Sequence, residues 1–129
     1  MEPKPLPRMR LNRLQKTAVS ALEDIKARDI SVLDVRKITS LYDTLIVASG
    51  DSARQVKALA QNVRDKLKES GATIIGVEGE ETGEWVLVDA GDIVVHVMQP
   101  AVRAYYNLEE LWTPPSTRAR PARATAAAA

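Results

Sequence analysis

Residues 84–97, EWVLVDAGDIVVHV, carry the strongest folding constraint in this 129-residue chain. Two short runs of Val, Ile and Leu flank a bend that holds Gly91 and two aspartates. Such a pattern folds as a β-hairpin, so the chain must build a sheet. With Ala90-Gly91 as a two-residue loop, Asp89 faces Asp92, Val88 faces Ile93, Leu87 faces Val94, Val86 faces Val95 and Trp85 faces His96. One side of the hairpin then carries Val86, Val88, Ile93, Val95 and Val97, a core face. The other carries Trp85, Leu87, Asp89, Asp92, Val94, His96 and Met98, a mixed face that core packing alone does not explain. Facing aspartates at the tip repel, which raises one pKa or calls for a cation.

The rest of the body alternates helical and strand patterns. Leu11, Leu14, Ala18, Leu22 and Ile25 step by three or four and predict a helix over 11–28. SVLDVRKI predicts a strand near 32–38, and TLIVAS one at 44–49 that is buried on both faces. Ser52 with Gln55 three residues on is a capping-box signature, and Val56, Leu59, Val63 and Leu67 supply the stripe of the helix it opens. Gly71 stands where a left-handed C-cap belongs. A strand at 73–77, the acidic loop EGEETGE, the hairpin and a last helix over 101–112 complete the order. The fold class is α/β (α+β), a mixed sheet of about five strands flanked by helices. Residues 1–10 read as a flexible lead-in, 11–113 as the single domain and 114–129 as a disordered Arg/Ala/Pro-rich tail.

The net charge of +1 hides a segregation. Residues 11–113 hold 12 basic against 16 acidic side chains, a net of −4, while both termini are basic. No Lys or Arg occurs between Lys68 and Arg103, a span that contains Glu78, Glu80, Glu81, Glu84, Asp89 and Asp92. Such a surface binds phosphate backbones poorly and suits a basic partner, so little direct nucleic-acid binding is expected. The absence of Cys removes disulfides, thiolate nucleophiles and Cys-type zinc sites. The apolar runs are strand-length and no signal-peptide core opens the chain, so a cytoplasmic protein without membrane contact is expected.

Three chemistries can be weighed against the same residues. Asp92 and His96 lie about 13 Å apart along a strand, too far to converge on one zinc ion. Ser49-Gly50 is not in a nucleophile-elbow motif, and nothing places Ser49 or Ser52 near His96. ASGDS entering a capped helix resembles the opening of a nucleotidyltransferase site, or a small anion-sensing module with Arg54 at the helix start. Nucleotidyl transfer needs clustered carboxylates for Mg²⁺, however, and Asp34, Asp43, Asp89 and Asp92 are scattered with no Asp-x-Asp pair. No catalytic residue, metal site or cofactor is expected, and the chain reads as non-enzymatic.

The stretches SGDSARQVKALAQNV, EWVLVDAGDIVVHVM and VRAYYNLEELW resemble the ribosomal silencing factor family, also called Iojap-like proteins. The resemblance covers about Leu14 to Trp112 and rests on Asp43, Gly50, Ser52, Arg54, Gln55, Gly79, Gly83, Trp85, Asp89, Gly91, Asp92, His96, Arg103, Tyr106, Leu108, Glu109, Leu111 and Trp112. Departures fall at Thr44-Leu45 and Ala90, where the family favours aromatics, and at Met98-Gln99.

The resemblance implies a nucleotidyltransferase-like fold without the catalytic carboxylates. It also implies a protein that binds the large ribosomal subunit through the fourteenth protein of the universal large-subunit set, on the intersubunit face. Occupying that face blocks the small subunit from joining and represses translation under nutrient limitation. A role in large-subunit assembly is the alternative, and free members can form homodimers. On this reading Trp85 and Leu87 are apolar anchors, helped by Tyr105 and Tyr106 from the last helix. Asp89 and Asp92 meet basic side chains, and His96 orients Trp85 or bonds across the interface. Leu111 and Trp112 are expected to pack in the core.

Overall fold

A computed structural model describes residues 7–111. The expectations for Trp112, the tail and the first six residues lie outside the described residues. In chain order the elements are α1 (Pro7–Asp24), β1 (Arg28–Asp34), β2 (Thr44–Ser49), α2 (Ala53–Glu69), β3 (Gly76–Glu78), β4 (Trp85–Asp89), β5 (Ile93–Met98), α3 (Pro100–Tyr106) and α4 (Leu108–Leu111). The strands form one mixed sheet in the order β1-β2-β5-β4-β3. β2 and β5 pair in parallel, and the other three pairs are antiparallel. The expected α+β class and five-stranded mixed sheet are therefore what the chain forms.

The α1 and α2 stripes bury against one face of the sheet. Leu11, Leu14, Ala18 and Leu22 meet Val56, Leu59, Val63 and Leu67 over Ile46, Ala48, Val86, Val88, Ile93, Val95 and Val97. A smaller cluster occupies the opposite face, with Val35, Leu45, Val47, Val94 and Met98 at its centre. Among the described residues, Leu33, Ile38, Tyr42, Trp85, Leu87 and Leu108 pack over it, each partly buried. All six residues of β2 and all six of β5 are buried, as expected of TLIVAS and further than expected of the second hairpin strand. Thr44 Oγ1 accepts from Gln15 Nε2 at 2.8 Å, tying α1 to the sheet.

Local signals explain α2. Ser52 Oγ accepts from the Gln55 amide at 3.0 Å, while Gln55 Oε1 accepts from the Asp51 amide at 2.7 Å, one residue before the usual reciprocal partner. The helix ends in a Schellman pair, Ala72 N–H to Leu67 O and Gly71 N–H to Lys68 O.

Several boundaries differ from the sequence reading. α1 stops at Asp24 rather than 28, because Lys26 takes φ +63° and closes the same Schellman pattern through Ala27 N–H to Leu22 O. β1 runs 28–34 rather than 32–38, because Ile38 and Thr39 N–H both turn back to the Val35 carbonyl. β3 runs over Gly76–Glu78 rather than the expected 73–77. The last helix breaks at Asn107, which adopts φ +46°, so α3 and α4 replace one helix over 101–112. Leu111 is 64% exposed on α4, contrary to the expected core role.

Candidate functional site: a groove on the open sheet face

The hairpin bend is Gly91-Asp92, not Ala90-Gly91: Gly91 takes φ +85°, and Ala90 N–H donates to the Ile93 carbonyl at 2.9 Å. The register therefore moves by two, pairing Asp89 with Val94, Leu87 with His96 and Trp85 with Met98. Asp89 and Asp92 are not a facing pair. Asp89 is half-buried and its Oδ1 accepts the Gly91 amide at 2.9 Å, so its carboxylate holds the bend. Asp92 is exposed, and its carbonyl takes the amides of Asp43 and Thr44, docking the bend onto the start of β2. Ala90 is buried in the helix-side core, on the other face from the groove described below.

Both strands still present the expected mixed face. Trp85, from β4, lies diagonal to His96, from β5, and its Nε1 donates to His96 Nδ1 at 2.8 Å. His96 is 9% exposed, and burial lowers its pKa to about 4. The Trp85 ring also meets Tyr106 at a centroid distance of 5.0 Å, and Tyr106 meets Tyr105 edge-on at 4.9 Å. Tyr105 is 82% exposed and Tyr106 is exposed. An aromatic step thus runs from the sheet outward along α3.

Beside this step lies a groove of about 610 Å³ lined by Leu41, Tyr42, Ile75, Leu87, Asp89, Gly91, Asp92, Val94, His96 and Leu108. Leu87, Asp89, Asp92 and His96 were expected there from sequence. Leu41, Tyr42, Ile75, Val94 and Leu108 complete it. Leu41 and Ile75 are exposed aliphatics, at 78% and 66%. Partial burial, and then the charge of Asp89, raise the Tyr42 phenol above its ordinary pKa, so it stays a neutral hydroxyl. The floor is aliphatic, the charged rim is acidic, and among the described residues no Lys or Arg lines it. A second depression, about 570 Å³ and lined by Arg64, Lys68, Thr73 and Glu80, holds none of the expected site residues.

The alternative chemistries find other arrangements. At the start of α2 the Asp51 carboxylate pairs with Arg28 at 2.7 Å, which places negative charge where a phosphate would bind. Asp34 is exposed and chelated by Arg36, whose hydrogen bonds hold its pKa down at about 2. Among the described residues no three of His, Asp and Glu gather as metal ligands, and no helix is long and apolar enough to cross a membrane.

The family model described as "Ribosomal silencing factor during starvation" matches residues 8–128. The ribosomal silencing factor RsfS of Chromobacterium violaceum is 62% identical over 104 residues, 81% of this chain and 85% of that protein. The RsfS of Bacillus subtilis is 42% identical over 97 residues, 75% of this chain and 82% of its own length. A crystal structure of a protein from Chromobacterium violaceum superposes with a TM-score of 0.78 at 59% identity, covering 85% of this chain and 88% of that one. The chain belongs to the ribosomal silencing factor family.

Proposed function

We propose that the chain represses translation by binding the large ribosomal subunit through a ribosomal protein on its intersubunit face, so that the small subunit cannot join. The observation that carries this reading is the groove: exposed aliphatic side chains and unneutralised carboxylates share one surface, and its two carboxylates come from the span between Lys68 and Arg103 that holds no Lys or Arg. That combination fits a basic protein partner. Leu87, Ile75 and Leu41 supply apolar contact, with Trp85, Tyr105 and Tyr106 beside them. Asp92 meets a basic side chain at the rim. His96 accepts the Trp85 indole N–H, a contact that supports an orienting role for it at this surface. No turnover is required, because bound factor and small subunit exclude each other. The effect then scales with free factor concentration over Kd.

The test is sedimentation of the protein with purified large subunits, with small subunits added before or after, alongside an Ile75→Asp/Asp92→Lys variant. Wild type should travel with the large subunit and lower the joined fraction, and the variant should do neither. Equal binding by both proteins would move the site off the groove. No binding by either would overturn the proposal.

A further inference from the structure

α3 and α4 contain no buried residue, yet they carry Tyr105, Tyr106 and Leu108, which form the aromatic step and one wall of the groove. Apolar burial therefore does little to hold this arm on the sheet. A polar contact does. The Arg103 side chain is 14% exposed and uses four hydrogen bonds, reaching four different residues. Nε donates to Glu109 Oε1 at 2.8 Å, Nη1 to the Asp29 carbonyl at 2.6 Å and to Ser49 Oγ at 2.9 Å, and Nη2 to Ser31 Oγ at 3.2 Å.

Those partners sit on three elements. Asp29 lies within the bulge of β1, where it takes φ +50°, Ser31 is the first paired residue after it, and Ser49 is the buried last residue of β2. Glu109 belongs to α4. In an unbroken helix, residues six apart lie about 120° from each other around the axis and could not pair. The turn at Asn107, whose side chain also bonds Glu110, folds Glu109 back onto the guanidinium. Burial by itself would raise the Glu109 pKa, but the bonds from Arg103 and Ser31 outweigh it and leave the carboxyl below its ordinary value. The pair is ionised and partly desolvated, which strengthens it relative to an exposed bridge.

We infer that Arg103 is the positioning residue of the binding surface. It latches α3–α4 to the ends of β1 and β2, and so keeps Tyr105, Tyr106 and Leu108 in register with Trp85 and the groove. Arg103 does not itself line the groove. The inference rests on the proposed large-subunit surface for its functional consequence, and on the contacts alone for the latch. Lys cannot substitute, because a point charge with three donors cannot reach four acceptors spread around a planar fork.

The experiment combines amide hydrogen exchange with large-subunit sedimentation for Arg103→Gln, Arg103→Lys, Glu109→Gln and Tyr105→Ala/Tyr106→Ala, plus Arg103→Gln in the tyrosine background. In Arg103→Gln and Arg103→Lys, exchange across residues 101–111 should rise by about tenfold or more while α2 and β5 stay protected. Glu109→Gln should show the same local release more weakly, which covers the case where an Arg103 variant fails to fold. Affinity for large subunits should drop about tenfold in Arg103→Gln, and by clearly less when the tyrosines are already gone. Unchanged exchange in 101–111 overturns the latch. A binding loss that adds in full to the tyrosine loss overturns the positioning role. If wild type does not bind large subunits, the proposed function falls, and the exchange result alone decides the latch.

Discussion

The indole N–H of Trp85 lies 2.8 Å from Nδ1 of His96, across a diagonal of the β4–β5 hairpin. An indole nitrogen can only donate, so Nδ1 must be the lone-pair acceptor and the histidine proton belongs on Nε2. Among the described residues no buried side-chain nitrogen or oxygen lacks a partner. The pair fixes the Trp85 ring against Tyr106, with centroids 5.0 Å apart, and so connects sheet to arm.

The burial of His96 makes stability depend on pH. Burial holds His96 neutral until about pH 4, against an ordinary value of 6.5. Protonating Nδ1 would also break the indole bond. The unfolded chain binds the proton near 6.5 and the folded chain does not, so the contribution is full above that pH. It declines as pH falls from 6.5 to about 4, by up to about 3 kcal/mol. Urea unfolding of wild type and His96→Asn at pH 7, 5.5 and 4.5 measures the difference. A gap that stays constant over that window would remove His96 as its source.

Gln55 should matter more than the N-cap it accompanies. Ser52→Ala removes one bond to the Gln55 amide and should cost about 1 kcal/mol. Gln55→Ala removes the acceptor for the Asp51 amide and the Nε2 donor to the Ile25 and Lys26 carbonyls, which tie the end of α1 to the start of α2. Its cost should be about 2 kcal/mol. Equilibrium unfolding of the two variants gives the order, and a smaller loss for Gln55→Ala would contradict it.

Two glycines with nearly equal φ should respond differently to Ala. At Gly71, with φ +95°, an added Cβ meets nothing within 4 Å, so only the backbone preference is lost, about 1 kcal/mol. At Gly79, with φ +88°, the Cβ would stand 2.0 Å from the Trp85 carbonyl oxygen, and backbone must move. We expect about 3 kcal/mol or more, with a change in tryptophan fluorescence absent from Gly71→Ala. Similar unfolding midpoints for the two variants would show that the acidic loop yields without strain.

The hairpin shows which parts of the fold the chain spells out. Moving the loop by one residue shifts the strand register by two, and side chains alternate with period two. Every residue of β4 and β5 therefore stays on its expected face although every expected cross-strand pair is wrong. Faces are encoded by alternation, but register depends on which residue takes the positive φ, and here Gly91 does. α1 ends early through a left-handed Lys26, a position that carries no glycine to announce it. Asn107 did carry a signal, since Asn tolerates that conformation, but the apolar spacing beyond it reads as continuous helix. Leu41, Ile75 and Leu108 reach the groove from three separate segments, and three of the four Arg103 contacts join residues more than 50 positions apart. Only the assembled sheet brings either set together.

The two hairpin aspartates, equivalent in the sequence pattern, should separate experimentally. Asp92 is exposed, and its carboxylate makes no hydrogen bond or ion pair among the described residues, so its charge is free to act on a partner. Asp92→Asn should leave stability within about 0.5 kcal/mol. On the proposed basic partner it should slow association and flatten the salt dependence of binding, because a rim charge acts mainly through encounter. Asp89 is half-buried and already spends Oδ1 on the Gly91 amide, so Asp89→Ala should cost about 1–2 kcal/mol of stability through the bend itself. Asp89→Asn keeps an acceptor at that atom and removes the charge, so it should recover most of that stability. Whatever binding loss remains in Asp89→Asn is then electrostatic. Stopped-flow association with large subunits at two salt concentrations, beside urea unfolding of all three variants, tests the separation. Equal salt slopes for wild type and Asp92→Asn would remove that carboxylate from the encounter surface.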